Sequence, residues 1–215
     1  MDKKIGTIKV VESFVREAVT SHDSGHGWLH IERVVRLAMH IHDMEKAGDG
    51  FTIELGALLH DIGDYKFAAH DGPAEIQRLL GSLEVESDII REVVNINEYI
   101  SYSKKSQQSS KSNELMIVQD ADRLDAMGAI GIARAFNYGG FKGREIYDPR
   151  EGFVNPPGMA DSRHSASTIH HFYDKLLLLK DLMNTTTGRK LAEERHLFMV
   201  RYLEQFYSEW DPGDK

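Results

Sequence analysis

The stretch richest in chemistry is Leu58-Leu59-His60-Asp61-Ile62-Gly63-Asp64. An apolar helical run (Ile53, Leu55, Ala57, Leu58, Leu59) ends in an adjacent imidazole and carboxylate, then breaks at Gly63. Burying an unpaired carboxylate costs several kcal/mol, so something has to compensate it. A divalent metal would do so. Neutral imidazole and carboxylate are both common ligands, and neighbours at a helix end can point at one ion. Two plainer roles compete at this point: Asp61 capping a backbone or pairing with an arginine, and His60 as a core histidine with its hydrogen bonds made.

Further residues of the same types recur on apolar helix faces. His30 opens a helix one turn before Val34 and points along its buried side. Asp122 lies four residues after Val118 and seven after Leu115, on that helix's apolar stripe, and Asp125 lies one turn on. Asp120, offset by two, points to another face. Three separate helices therefore each bring one or two buried-side ligands. Two imidazoles and two carboxylates suit one divalent ion in roughly octahedral geometry, with positions left for water or a phosphate oxygen. That favours Mn, Fe, Co, Ni or Mg over a closed tetrahedral zinc. On the stripe alone, Asp122 and Asp125 both qualify. Phosphate charge would need nearby cations, for which Lys66, Arg123, Arg134, Lys175, Lys104 and Lys105 are available, each equally readable as plain surface. His171 and Lys175 share a face at i, i+4.

The elements that must position these groups read as helices throughout. Residues 5–20 carry apolar positions at Ile5, Ile8, Val11, Val15 and Val19, near a 3.6 period. Further helices are predicted over 28–46, 52–62, a short piece after Pro73, 86–100, 115–135, 165–183 and 188–209. Residues 101–113 are Ser, Gln and Lys, a surface loop by composition and basic enough to touch an anion. Residues 137–163 hold five Gly and three Pro and read as a flap near the site. No strand pattern or repeat is evident, so the fold class is all-α, one compact bundle over 1–215.

Composition narrows the function classes. The 215 residues carry a net charge of −8, which argues against a nucleic-acid face, though not against a small anionic substrate. Cysteine is absent, so thiolate chemistry and disulfides are excluded. No apolar run approaches the roughly 18 residues of a membrane span, and the start reads as an amphipathic helix rather than a signal segment. A cytoplasmic protein is expected, with no nucleic acid and no membrane as partner. The late helices, Leu176 to Met183 and Leu197 to Phe206, are core or a homodimer face.

Taken together, these segments resemble the HD-domain metal-dependent phosphohydrolases, whose pattern is H…HD…D. The pattern stands here as His30 in GWLHIERV, His60-Asp61 in ALLHDIGD and Asp122 in QDADRLDA. A bacterial subgroup is similar further on, through GAIGIARAF (Gly128 to Phe136) and HFYDKLLLLKDLMNT (His171 to Thr185). The resemblance implies an HD-type helical bundle and one divalent ion, Mn before Mg, Fe, Co, Ni or Zn. It also implies hydrolysis of a phosphate ester or anhydride, commonly of a nucleotide. Its register selects Asp122 as the fourth ligand beside His30, His60 and Asp61. Asp64 is implied as base, with Lys66 on the phosphate. Arg123, Arg134, His171 and Lys175 are expected to bind substrate, and His26 and Asp125 to support the ligands from behind. Nucleoside triphosphate pyrophosphohydrolysis is the leading reading. Nucleotidase, phosphodiesterase or alarmone hydrolase activity and a non-catalytic nucleotide-binding module are the alternatives. A second ion near His70 is not expected, because the helix over 86–100 has no histidine.

Overall fold

The mostly apolar segment Gly50–Leu59 becomes a helix buried over most of its surface, and the N-terminal half of the fold is arranged around it. In the computed structural model, residues 2–19, 27–63, 71–100, 111–150, 167–211 and 213 are described. Among them are nine α-helices and no strand. In chain order these are α1 (Asp2–Val19), α2 (Trp28–Glu45), α3 (Gly50–Leu59), α4 (Gly72–Ser82), α5 (Ser87–Tyr99), α6 (Asn113–Asp125), α7 (Gly128–Phe141), α8 (Thr168–Asp174) and α9 (Thr186–Trp210). A 3-10 helix, Leu176–Leu182, lies between the last two. Two compact units divide the chain, residues 1–122 and residues 123–215.

In the first unit α3 packs against α1, α2 and α5. Val11 and Val15 of α1, Ile31 of α2, Leu55, Leu58 and Leu59 of α3, Ile76 and Leu80 of α4 and Val93 of α5 form one buried cluster. The start of α3 is set by Asp49, whose carboxylate accepts from the Thr52 backbone N–H at 2.9 Å and from its hydroxyl at 2.8 Å. Helices α3 and α5 approach so closely that a Cβ on Gly56 would lie 2.5 Å from Ile96 Cδ1.

In the second unit the rings of Phe136, Phe172 and Tyr202 meet with centroids around 6 Å apart, Phe172 stacked on Tyr202, and join α7, α8 and α9. Tyr147 meets Phe206, Tyr207 and Trp210 edge-on. Leu197 and Phe198, on the helix read as core or dimer face, are about half exposed. Helix α9 begins at a buried cap, with Thr185 Oγ1 accepting from the Gly188 N–H at 2.9 Å. Thr185→Ala is expected to lower stability by about 1 kcal/mol in urea unfolding. An unchanged midpoint would show that the cap contributes nothing.

Several boundaries differ from the sequence expectation. Helix α3 stops at Leu59, and residues 60–63 form a turn that ends at Gly63 with φ +77°. The single helix expected over 115–135 is broken at Ala126-Met127, because Gly128 takes φ +69° and opens a new helix there. Helix α7 then runs on to Phe141, so the irregular stretch starts later than 137. Residues 151–163 of the expected flap, and 101–110 of the polar loop, lie outside the described residues. The helix expected over 165–183 is two pieces, because Lys175 leaves helical angles (φ −141°, ψ −57°) and the leucine run continues as a 3-10 helix. Among the described residues no helix is long and apolar enough to cross a membrane.

Candidate metal centre

Helices α2, α3 and α6 bring their chemistry to one place in the first unit. His30, two residues inside α2, and His60, just past the end of α3, are both 2% exposed. Their rings meet edge-to-face with centroids 5.3 Å apart. Asp61 and Asp122 lie over them, with side chains 13% and 34% exposed. The imidazoles thus form the floor, and the carboxylates the side toward solvent.

The four groups face one another at distances longer than hydrogen bonds. His30 Nε2 lies 3.5 Å from Asp61 Oδ2 and 3.6 Å from Asp122 Oδ1. His60 Nε2 lies 3.4 Å from Asp61 Oδ1 and 3.9 Å from Asp122 Oδ1. Hydrogen bonds of this type run about 2.7–3.2 Å, so these contacts are too long. Ligand atoms about 2.1 Å from one shared ion sit ~3.0 to ~4.2 Å from each other in octahedral geometry, the range these separations occupy.

The tautomer of His60 points the same way. Its Nδ1 lies 2.8 Å from the Ala57 carbonyl, which can only accept, so Nδ1 carries the proton. In the neutral ring Nε2 is then a bare lone pair. Among the described residues no hydrogen-bond partner reaches it. A buried lone pair facing carboxylate oxygens is repulsive unless a cation sits among them. The core-histidine role considered for His60 therefore holds for one ring nitrogen and not for the other. His30, His60 and Asp122 form a group that could hold a metal ion.

A carboxamide on the neighbouring helix completes the local structure. Asn97 Nδ2 of α5 donates to the carbonyls of Leu59, His60 and Ile62 at 3.0, 3.1 and 2.9 Å. Sequence reasoning passed over this residue, though a signal was present. Asn97 follows the buried Val93 by four residues, so it puts an amide on an apolar stripe.

Asp64, Lys66, His26 and His70 lie outside the described residues. Asp120 is fully buried, and its neighbour Asp122 is the one that faces the histidines. In the second unit Asp125 and Arg134, expected in separate roles, meet each other at 2.6 Å with side chains 2% and 18% exposed. Arg123 is buried and donates to the Leu182 carbonyl, closing the end of the 3-10 helix. Both arginines are thus engaged in the interior of their own unit.

His171 is held neutral. Burial, then the charges of Lys175, Arg144 and His170, push its pKa down to about 4. An unfolded histidine binds its proton below about 6.5, so the unfolded state binds more protons between pH 6.5 and 4. Stability from this group is complete above pH 6.5 and is lost as pH falls toward 4. His171→Gln is expected to flatten that part of the stability–pH curve. An unchanged slope would place the acid sensitivity elsewhere.

Residues 27–127 match the model of the HD domain family, a span that includes His30, His60, Asp61 and Asp122. The Bacillus subtilis protein YpgQ is 37% identical over 207 residues, covering 94% of this chain and 93% of YpgQ. The chain belongs to the HD-domain family. Solved structures of relatives extend the match over nearly the whole length. An HD-superfamily hydrolase from Bacillus thuringiensis is 40% identical, with a TM-score of 0.76, over 97% of this chain and 98% of its own. The B. subtilis YpgQ structure in complex with ADP is 36% identical, with a TM-score of 0.76, over 96% and 98%. The all-α HD-type fold read from the sequence is thus the fold of the chain.

Proposed function

We propose that this HD-domain protein is a divalent-metal-dependent phosphohydrolase of nucleotides, and that it splits nucleoside triphosphates into monophosphate and pyrophosphate. The observation that carries the reading is the convergence of two carboxylates on the His60 lone pair, with the His30 imidazole beside it. His30, His60, Asp61 and Asp122 would hold one ion, Mn²⁺ before Mg²⁺, Fe²⁺, Co²⁺, Ni²⁺ or Zn²⁺. When bound, that ion supplies neutralisation of phosphate oxygens and a lower pKa for water.

The chain's own residues do the rest. The Ala57 carbonyl fixes the His60 tautomer, and the Asp122 carboxylate, its side chain 34% exposed, stands on the solvent side of the site. Asp64 accepts the proton of the attacking water, whose oxygen bonds to the α-phosphorus as the bridging α–β oxygen leaves with pyrophosphate. Lys66 holds the charge of the departing phosphates. His171 and Lys175 are proposed as further substrate contacts on the sequence resemblance. The YpgQ complex with ADP supports a nucleotide as ligand, since that relative shares the fold over nearly its full length.

The test is a product assay. Metal-stripped protein receives Mn²⁺, Mg²⁺, Co²⁺ or Ni²⁺ in turn, then a panel of nucleoside mono-, di- and triphosphates, with pyrophosphate resolved from orthophosphate. Metal-dependent pyrophosphate release is expected. Orthophosphate alone would mean a nucleotidase, and silence throughout would mean a binding module or a non-nucleotide ester. Lys66→Ala is expected to raise KM or lower kcat with metal retained. Loss of the metal in that variant would make Lys66 structural instead.

A further inference from the structure

We propose that Asn97 is the positioning residue of the centre: its carboxamide holds the turn that carries His60 and Asp61 and thereby sets the affinity for the divalent ion. The inference rests on the metal-dependent reading above. The last carbonyls of any α-helix lack intrahelical partners. Past the end of α3 the carbonyls in question are that of His60 and those of Leu59 and Ile62, which flank the His60-Asp61 pair. Asn97 serves the carbonyls of Leu59, His60 and Ile62 with a single nitrogen, at 2.9–3.1 Å. Two hydrogens shared among three acceptors make a bifurcated cap, common at helix ends.

The turn is confined from a second side. Gly72, the first residue of α4, sits so close that a Cβ there would lie 2.3 Å from the Ile62 carbonyl oxygen and 3.2 Å from Gly63 Cα. The Ile62 carbonyl is therefore held between the backbone of α4 and the amide of α5. Helix α5 itself is fixed against α3 by the Gly56–Ile96 approach. Any rotation of the peptides at 60–62 would swing Asp61 away from the two histidines it faces at 3.4 and 3.5 Å. Donation is what the site asks of residue 97. An aspartate there would have the same shape but would turn an oxygen toward three carbonyl oxygens.

The experiment compares wild type, Asn97→Ala, Asn97→Asp and Gly72→Ala, each metal-stripped and shown helical by circular dichroism. Mn²⁺ affinity is read by the EPR signal of the free ion. Partners behind metal ligands are worth about 10–100-fold in affinity, and that is the weakening expected for Asn97→Ala. Asn97→Asp is expected to lose at least as much, although it preserves the packing. Gly72→Ala, which displaces the same turn without touching Asn97, is expected to weaken Mn²⁺ by roughly tenfold and is read even where a residue-97 variant fails to fold. KM for nucleotide at saturating Mn²⁺ should stay near wild type. A purely structural Asn97 would lower Tm in both residue-97 variants and leave Mn²⁺ affinity at the wild-type value in each. Wild-type affinity in Asn97→Asp and Gly72→Ala overturns this inference alone. A wild-type chain that binds no Mn²⁺ overturns the metal reading, and the inference with it.

Discussion

Asp61→Ala is expected to lose divalent-ion binding and hydrolysis together while its circular dichroism remains helical. The reason is the position of both carboxylate oxygens. Oδ2 lies 3.5 Å from His30 Nε2, and Oδ1 lies 3.4 Å from His60 Nε2, so this one residue spans both imidazoles. Without it, a dication would face a single carboxylate, Asp122. Partners behind the ligands of a metal are already worth about 10–100-fold, so a direct ligand should exceed that. The rise in Tm on adding Mn²⁺, which follows from binding to the folded state alone, should disappear. A lower metal-free Tm with hydrolysis intact would make Asp61 a structural residue.

Arg134→Ala should be among the most destabilising substitutions in the second unit, at about 3–5 kcal/mol. Its guanidinium meets the Asp125 carboxylate at 2.6 Å, and Asp125 is almost fully enclosed. Removing the arginine takes a close cation from a buried carboxylate. The positive charge of Arg195 acts on Asp125 as well, which moves the expected loss toward the lower end of that range. Asp125→Ala should be similarly costly, and the double variant should cost clearly less than the two singles added together. Urea unfolding of the three variants gives the coupling directly. A loss below about 1 kcal/mol, accompanied by a raised KM for nucleotide, would return Arg134 to the phosphate-binding role its sequence context suggests.

The helices carrying the centre were legible because apolar periodicity and ligand type agree there. His30, His60 and Asp61 stand at the ends of strongly patterned segments, and Asp122 lies on a stripe that also offered Asp125. What separates the two aspartates is tertiary. Asp122 reaches the histidines, while Asp125 finds an arginine nine residues on, a pairing that no local pattern announces. The break between α6 and α7 was hidden for a similar reason. Gly128 looks like a tolerated helix glycine until its positive φ and the Arg195 side chain 3.0 Å from its missing Cβ are seen. Asn97 escaped notice because an amide carries no charge and its partners are carbonyls 35 to 38 residues away in sequence.

The central claim, one catalytic divalent ion on His30, His60, Asp61 and Asp122, is tested most directly by a single titration. Metal-stripped protein is titrated with Mn²⁺, the free ion is followed by EPR, and pyrophosphate release from a nucleoside triphosphate is measured in the same samples. Binding and release are expected to saturate together at one ion per chain, and neither is expected in Asp61→Ala. Pyrophosphate release that persists in excess chelator, or tight binding that survives in Asp61→Ala, would contradict it.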